Sequence, residues 1–211
     1  MPTILRVVVM AKSPRPGLAK TRLAPALGAE GAARLAARML QHALAQAVAA
    51  GVGPVLLSAA PDEHDDLLRA AAAAAGATLA AQGDGDLGAR MARAAAAAHA
   101  AGHAVLILGT DAPAIDASVL RSAAAALRAG DDVVLVPAHD GGYALIGLAR
   151  PLPAVFDGIA WSTPKVLAQT QAAAAAWGAR VTLLAAVHDI DEPADLAHLP
   201  SDWRPEHDPG R

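Results

Sequence analysis

Short β-branched runs and longer alanine- and leucine-rich stretches take turns along this chain, and that alternation constrains its architecture more than any other feature. The strand-like runs are 4–11, 54–59, 78–81, 103–109, 132–138, 143–148 and 180–187; helical stretches lie near 29–50, 62–75, 87–101, 116–129 and 164–177, with a short last one near 192–198. Strands and helices in turn imply a three-layer α/β/α sandwich, with a mainly parallel, Rossmann-like sheet between two helical layers. One break in the rhythm is informative. Only His139, Asp140, Gly141 and Gly142 separate two strand-like runs, too few residues for a parallel crossover, so one of those strands is expected to run antiparallel. With no linker and no internal repeat, residues 1–199 read as one domain, and 200–211, with three prolines and scattered charges, as a loose C-terminal tail.

Composition removes several classes of function. Of 211 residues 59 are alanine and none is cysteine, so thiolate metal sites, disulfide scaffolds and cysteine nucleophiles are excluded and a reducing, cytoplasmic setting is expected. The net charge of -3 argues against nucleic acid as a partner. The first apolar run is broken by Arg6 and is too short to span a membrane. Ser162-Thr163-Pro164 reads as a helix start with proline in the first turn, and Asp116 and Asp62 stand where N-cap acceptors belong.

Against that bland background the rarer residue types stand out. The loop after the first strand, Lys12-Ser-Pro-Arg-Pro-Gly-Leu-Ala-Lys-Thr-Arg22, carries Lys12, Arg15, Lys20 and Arg22 with no acid. Ligands of open α/β sheets bind beyond the carboxyl ends of strands, so this loop, turning at Gly17, is placed to meet phosphates; a merely solvated basic loop is the other reading. It is not a P-loop, because Ala19 and Pro14 stand where that motif needs glycine. Phosphates here would be neutralised by side chains. Gly83-Asp-Gly-Asp-Leu-Gly88 has the spacing of a dinucleotide fingerprint, but it follows the third strand, and Asp84 and Asp86 would repel a pyrophosphate. Gln82 and the glycines suit contact with a nucleobase or sugar, or a plain turn capped by Asp86.

Two acids complete the pattern. Asp111 ends a fully apolar, hence central, strand, and Asp189 and Asp191 follow the last long one. Magnesium favours one or two carboxylates while it bridges substrate phosphates, which makes Asp111 and Asp191 candidate ligands; the competing readings are a turn residue and a helix cap. In Asp140-Gly141-Gly142-Tyr143 the glycines permit close backbone approach, Tyr143 offers a ring for a sugar or base, and Asp140 is a candidate base; a hairpin turn explains the same residues.

Taken in order, Lys12-x-Pro-x-Pro-Gly17-x-x-Lys20-Thr-Arg-Leu23, Gly88-x-Arg-Met91, Gly109-Thr-Asp111-x-Pro113, Asp140-Gly-Gly-Tyr143, Trp161-Ser-Thr163 and Asp189-x-Asp191-x-Pro-x-Asp195 resemble the DUF2064 family over residues 4–199. That family is grouped with the nucleotide-diphospho-sugar transferases of glycosyltransferase-A fold, and is similar in design to molybdopterin and phospholactate guanylyltransferases. The resemblance implies a transferase binding a nucleoside triphosphate or nucleotide-sugar and a small-molecule acceptor. Nucleotidyl transfer is the first expectation, glycosyl transfer the alternative, and a non-catalytic nucleotide-binding protein a third. It implies that Lys12, Lys20 and Arg22 hold the nucleotide phosphates; the residues themselves add Arg15, Gly17, Gln82 and Gly88 to the nucleotide side, with Lys20 and Asp140 as catalytic candidates. Gly141, Gly142, Tyr143 and Trp161 would meet the acceptor or sugar, and Asp111 and Asp191 would hold Mg2+ or Mn2+. Ala112 and Glu192 depart from the family, where cysteine and threonine are usual. The sequence carries no signal for an oligomeric state.

Overall fold

The computed structural model describes residues 4–203. Among these, seven strands form one sheet: β1 Leu5–Lys12, β2 Val55–Ala60, β3 Thr78–Ala81, β4 Ala104–Leu108, β5 Val133–Pro137, β6 Tyr143–Leu148 and β7 Val181–Leu183. Their order across the sheet is β3-β2-β1-β4-β6-β5-β7, and only β6 runs antiparallel, to both β4 and β5. This is the strand that the short 139–142 turn requires. The last strand is shorter than the run 180–187 suggested. After Leu183 the chain leaves the ladder and returns only as a single bridge between Val187 and Ala138.

Five α-helices flank the sheet: α1 Ala24–Ala50, α2 Asp66–Ala75, α3 Leu87–Ala100, α4 Ala117–Ala129 and α5 Val166–Ala176. The period-two alternation of strands divides the core between them. Leu5, Val7, Val9, Leu106, Leu108 and Val134 pack on one face against Leu40 and Leu44 of α1, Leu68 of α2 and Leu120 and Leu127 of α4. Val8, Met10, Val105, Ile107, Leu135 and Ile146 face α3, through Met91 and Ala95, and Ala174 of α5. A third cluster matters most for the site. Leu23, Leu35 and Met39 bury Ile190 and Leu199 completely or nearly so, which clamps the segment after β7 onto the start of α1.

Two expected helix starts move. Asp65, not Asp62, caps α2 by accepting from the Leu67 and Leu68 N–H groups, while Asp62 closes a local turn on His64 N–H. Helix α5 starts at Val166 without a side-chain cap, because Ser162 adopts a left-handed conformation (φ 61°) and Ser162–Pro164 form a loop instead. Of the C-terminal residues, Trp203 lies edge-on to His42 at 5.0 Å with Arg38 over its ring, and residues 204–211 lie outside the described residues. No described helix is long and apolar enough to cross a membrane.

The cap of α4 gives a stability prediction. Asp116 accepts from Ser118 Oγ at 2.6 Å and from the Ser118 and Val119 N–H groups at 2.8 and 2.9 Å. The Ser118 hydroxyl first, then the Val119 amide, hold its carboxyl below the usual carboxylate range. The stability this contributes is present above the unfolded-state pKa and lost as pH falls through the lower folded one. Asp116→Ala should therefore reduce the unfolding free energy by about 1 kcal/mol at neutral pH, with the difference closing below about pH 4, as urea denaturation at a series of pH values would show.

Candidate active site

A cleft of about 890 Å3 opens along the carboxyl ends of β1, β3 and β4, where the basic loop, the turn after β3 and the segment after β7 meet. At its floor Lys20 is left-handed (φ 50°), and only 7% of its side chain is exposed. Its Nζ lies 2.5 Å from Asp111 Oδ1 and 2.7 Å from Asp191 Oδ1, and donates to the Ile190 carbonyl at 2.6 Å. Three donors meet three acceptors. Burial alone would lower the ammonium's pKa, but the neighbouring carboxylates, Asp111 foremost, outweigh it and the net shift is upward from 10.5.

The two carboxylates converge because the backbone is tied behind them. Ile190, buried in the third cluster, donates its N–H to the Asp111 carbonyl at 2.8 Å. Asp195 accepts from the Asp191 and Glu192 N–H groups at 3.0 and 2.7 Å, so the capping duty suggested for Asp191 falls to Asp195 and Glu192, and the Asp191 carboxylate faces the cleft. Asp189 does not share the ammonium. It borders the cleft, and burial first, then the Asp140 charge, raise its pKa above the ordinary value.

The remaining loop cations divide. Arg15 turns away and pairs with Asp65 at the start of α2, 3.0 Å apart, and neither it nor Gly17, which supplies a left-handed turn, lines the cleft. Lys12 lines the cleft with no ion-pair partner among the described residues. Arg22 lines it too, 72% exposed, with Glu192 3.7 Å away. Gln82 is buried, and its amide is already engaged: it donates to the Ala11 and Ser58 carbonyls at 3.1 and 2.9 Å and accepts from Arg90 Nη1 at 3.3 Å. Arg90 is a cleft residue that the sequence motif Gly88-x-Arg-Met91 contained but to which no role was given. Its Nε donates to the Gly85 carbonyl at 3.0 Å, so Gln82 and Gly85 aim the guanidinium along the cleft wall. Besides that motif, the available signal was a cation in the first turns of α3, where the helix dipole disfavours positive charge and another role has to account for it.

The opposite wall is built on two glycines. A methyl on Gly88 would collide with the Trp161 indole, and one on Gly141 with the Pro164 backbone, so these glycines seat the 161–166 loop and do not themselves line the cleft. Gly142 does line it, and Asp140 Oδ1 accepts from its N–H at 2.7 Å, which leaves Oδ2 directed elsewhere. Tyr143 presents its ring at the cleft, edge-on to Trp161 at 6.4 Å. Its hydroxyl is buried on the side of Thr170, and burial drives its pKa upward, so the ring and not the hydroxyl is available to a ligand. His188 is stacked between His139 and His198, with ring centroids 4.1 and 3.6 Å away.

The donor set suits a divalent cation. Two carboxylate oxygens converge on one positive centre, and no group of three or more His, Asp or Glu side chains that could enclose a metal exists among the described residues. Few protein ligands, with the remainder from substrate phosphates and water, is the arrangement magnesium prefers.

The family model described as an uncharacterized protein conserved in bacteria (DUF2064) matches residues 18–163. The chain belongs to the DUF2064 family. Among solved structures, this DUF2064 member is similar to a provisionally assigned nucleotide-diphospho-sugar transferase from Desulfovibrio desulfuricans G20, at 31% identity, TM-score 0.81, covering 90% of this chain and 83% of that one. It also shares its fold with a nucleotidyl transferase from Methanothermobacter thermautotrophicus, at 17% identity and TM-score 0.62, over 92% of this chain and 94% of that one. Glucosyl-3-phosphoglycerate synthase from Mycobacterium tuberculosis, in complex with Mn2+, UDP and glucosyl-3-phosphoglycerate, matches at 10% identity and TM-score 0.58, over 92% and 74%. Among curated proteins none matches. The mixed sheet with its single antiparallel strand is thus the glycosyltransferase-A-like fold.

The glycine-seated wall can be tested by fluorescence. In a Trp177→Phe, Trp203→Phe background, Gly88→Ala should shift Trp161 emission to the red as the indole leaves the helix. Unfolding free energy should change by no more than about 1 kcal/mol, since alanine is the better helix former. Unchanged emission would mean that the indole does not rest on Gly88.

Proposed function

We propose that this DUF2064 member transfers a nucleotidyl group from a nucleoside triphosphate to a small-molecule acceptor bearing a hydroxyl or phosphate, with Mg2+ or Mn2+ held by Asp111 and Asp191. The observation that carries this reading is the convergence of those two carboxylates beneath a rim of cations, Lys12, Arg22 and Arg90, in a cleft large enough for a nucleotide and an acceptor. The shared fold of a nucleotidyl transferase supports the transfer, and the Mn2+ in glucosyl-3-phosphoglycerate synthase supports a divalent ion, although the UDP and glucosyl product of that structure speak for the glycosyl alternative.

Each side chain then has a task. Lys12 and Arg22 neutralise the β- and γ-phosphates, and Arg90, held by Gln82, adds a guanidinium fork along the wall. The Tyr143 ring and the Trp161 loop bound the acceptor side, and Asp140 takes the proton when the acceptor is a hydroxyl. The acceptor oxygen bonds to the α-phosphorus, the bond from that phosphorus to the bridging oxygen breaks, and pyrophosphate leaves. A bound divalent ion supplies charge neutralisation at the phosphate oxygens. The protein contributes mainly positioning and fixed charge.

Glycosyl transfer from a nucleotide-sugar uses the same floor with a different bond broken, and the products separate the two. A thermal-shift panel of nucleoside triphosphates and nucleotide-sugars, with and without Mg2+, followed by product analysis, should show a metal-dependent shift and then pyrophosphate release. Release of nucleoside diphosphate would replace the proposal with glycosyl transfer, and no metal-dependent shift for any ligand would favour a non-catalytic binding protein. Lys12→Ala should lower kcat/KM by roughly tenfold to a hundredfold, the magnitude of one charge-assisted phosphate contact, with little change in Tm of the free protein.

A further inference from the structure

Lys20 was expected to reach for phosphates, yet its ammonium is engaged elsewhere. Its three donors are matched by Asp111 Oδ1, Asp191 Oδ1 and the Ile190 carbonyl, and its side chain is buried beneath two carboxylates that remain 48% and 44% exposed to the cleft. The ammonium therefore occupies the inner side of the acid pair and engages one oxygen, Oδ1, of each carboxylate that would hold the ion.

We propose that Lys20 is the resident cation of the metal cradle, and that a divalent ion enters by displacing it, which frees the ammonium for the phosphates of the donor. This inference rests on the assignment of Asp111 and Asp191 as metal ligands made above. Three observations carry it. The oxygens Asp111 Oδ1 and Asp191 Oδ1 are both within 2.7 Å of one nitrogen, so an ion bonding both of them would crowd that nitrogen sterically and repel it. Without a cation between them the two carboxylates would repel each other, so the apo site needs an internal substitute. Finally, Lys20 is one of two described non-glycine residues with positive φ, and the other, Ser162, lines the same cleft. Unusual backbone of this kind is concentrated at functional sites.

Competition of this type reduces apparent affinity by the fraction of time the cradle is free. If that fraction is about one part in ten or less, removing the ammonium should tighten metal binding about tenfold or more. The test is Mn2+ titration followed by electron paramagnetic resonance, on the wild-type chain, Lys20→Met, Lys12→Met and the double variant Lys20→Met, Asp111→Asn. Lys20→Met should bind Mn2+ at least about tenfold tighter than wild type. Lys12→Met should change little, although it too removes a cation from the cleft, and the double variant should lose the gain. A second arm needs no variant: in protein labelled with 15N-lysine, the Lys20 Nζ resonance should shift when Mg2+ is added. Equal Mn2+ affinity in wild type and Lys20→Met, an equal gain in Lys12→Met, or an Nζ signal indifferent to Mg2+ would each overturn the displacement while leaving the metal ligands standing. Absence of Mn2+ binding in every form would instead overturn the metal assignment itself.

Discussion

One buried ammonium holds the floor of the cleft together. Lys20 belongs to the loop after β1, Asp111 to the end of β4, and Ile190 and Asp191 to the segment after β7, so one side chain joins parts of the chain up to 171 residues apart. Such a group is stable only when every donor is satisfied and opposite charge is close, since burying it alone is strongly unfavourable. The surroundings meet both conditions. Complete burial of Ile190 against Leu23, Leu35 and Met39 fixes the third segment, and its N–H bond to the Asp111 carbonyl sets the spacing of the two acids. Hydrophobic packing on α1 is in this sense what aims the carboxylates.

The other walls follow a complementary logic, in which missing side-chain atoms matter as much as those present. Gly88 and Gly141 leave the space that the Trp161 indole and Pro164 occupy, and the loop between them closes the acceptor side. On the opposite side polar atoms are matched in series, from the Ala11 and Ser58 carbonyls to the Gln82 amide and on to Arg90. Apart from the first turns of α3, which carry Gly88 and Arg90, the alanine-rich helices stay out of this arrangement. They supply compact, interchangeable layers, while the rarer residue types gather where strands end.

Much of this was legible before the structure. Strand–helix alternation identified the layered sheet, the four-residue spacer required the antiparallel β6, and the wholly apolar run before Asp111 marked the central strand. Local spacing also singled out the acids and the basic loop as neighbours. What it did not contain was how the cations would be partitioned. Whether Lys20 meets a phosphate or a carboxylate depends on Asp191, far along the chain, and Arg15 is drawn off by Asp65 for the same kind of reason. The roles of Gly88 and Gly141 were hidden likewise, because a glycine that admits a ligand and one that admits an indole look alike in one dimension. The run 180–187 overstated β7 because Leu184 and Val187 are apolar to pack on the first core cluster, without continuing the ladder beyond Leu183.

The central claim is that Asp111 and Asp191 hold a divalent ion against the phosphates of a nucleotide in this cleft. It is tested most directly by crystallography with Mn2+ and a series of non-hydrolysable nucleoside triphosphate analogues, locating the metal by its anomalous signal. The account predicts a peak bonded to both carboxylates and to phosphate oxygens, with Lys12 and Arg22 facing the phosphates. A nucleotide bound in the cleft with Mn2+ elsewhere, or with Asp111 and Asp191 free of metal, would contradict it.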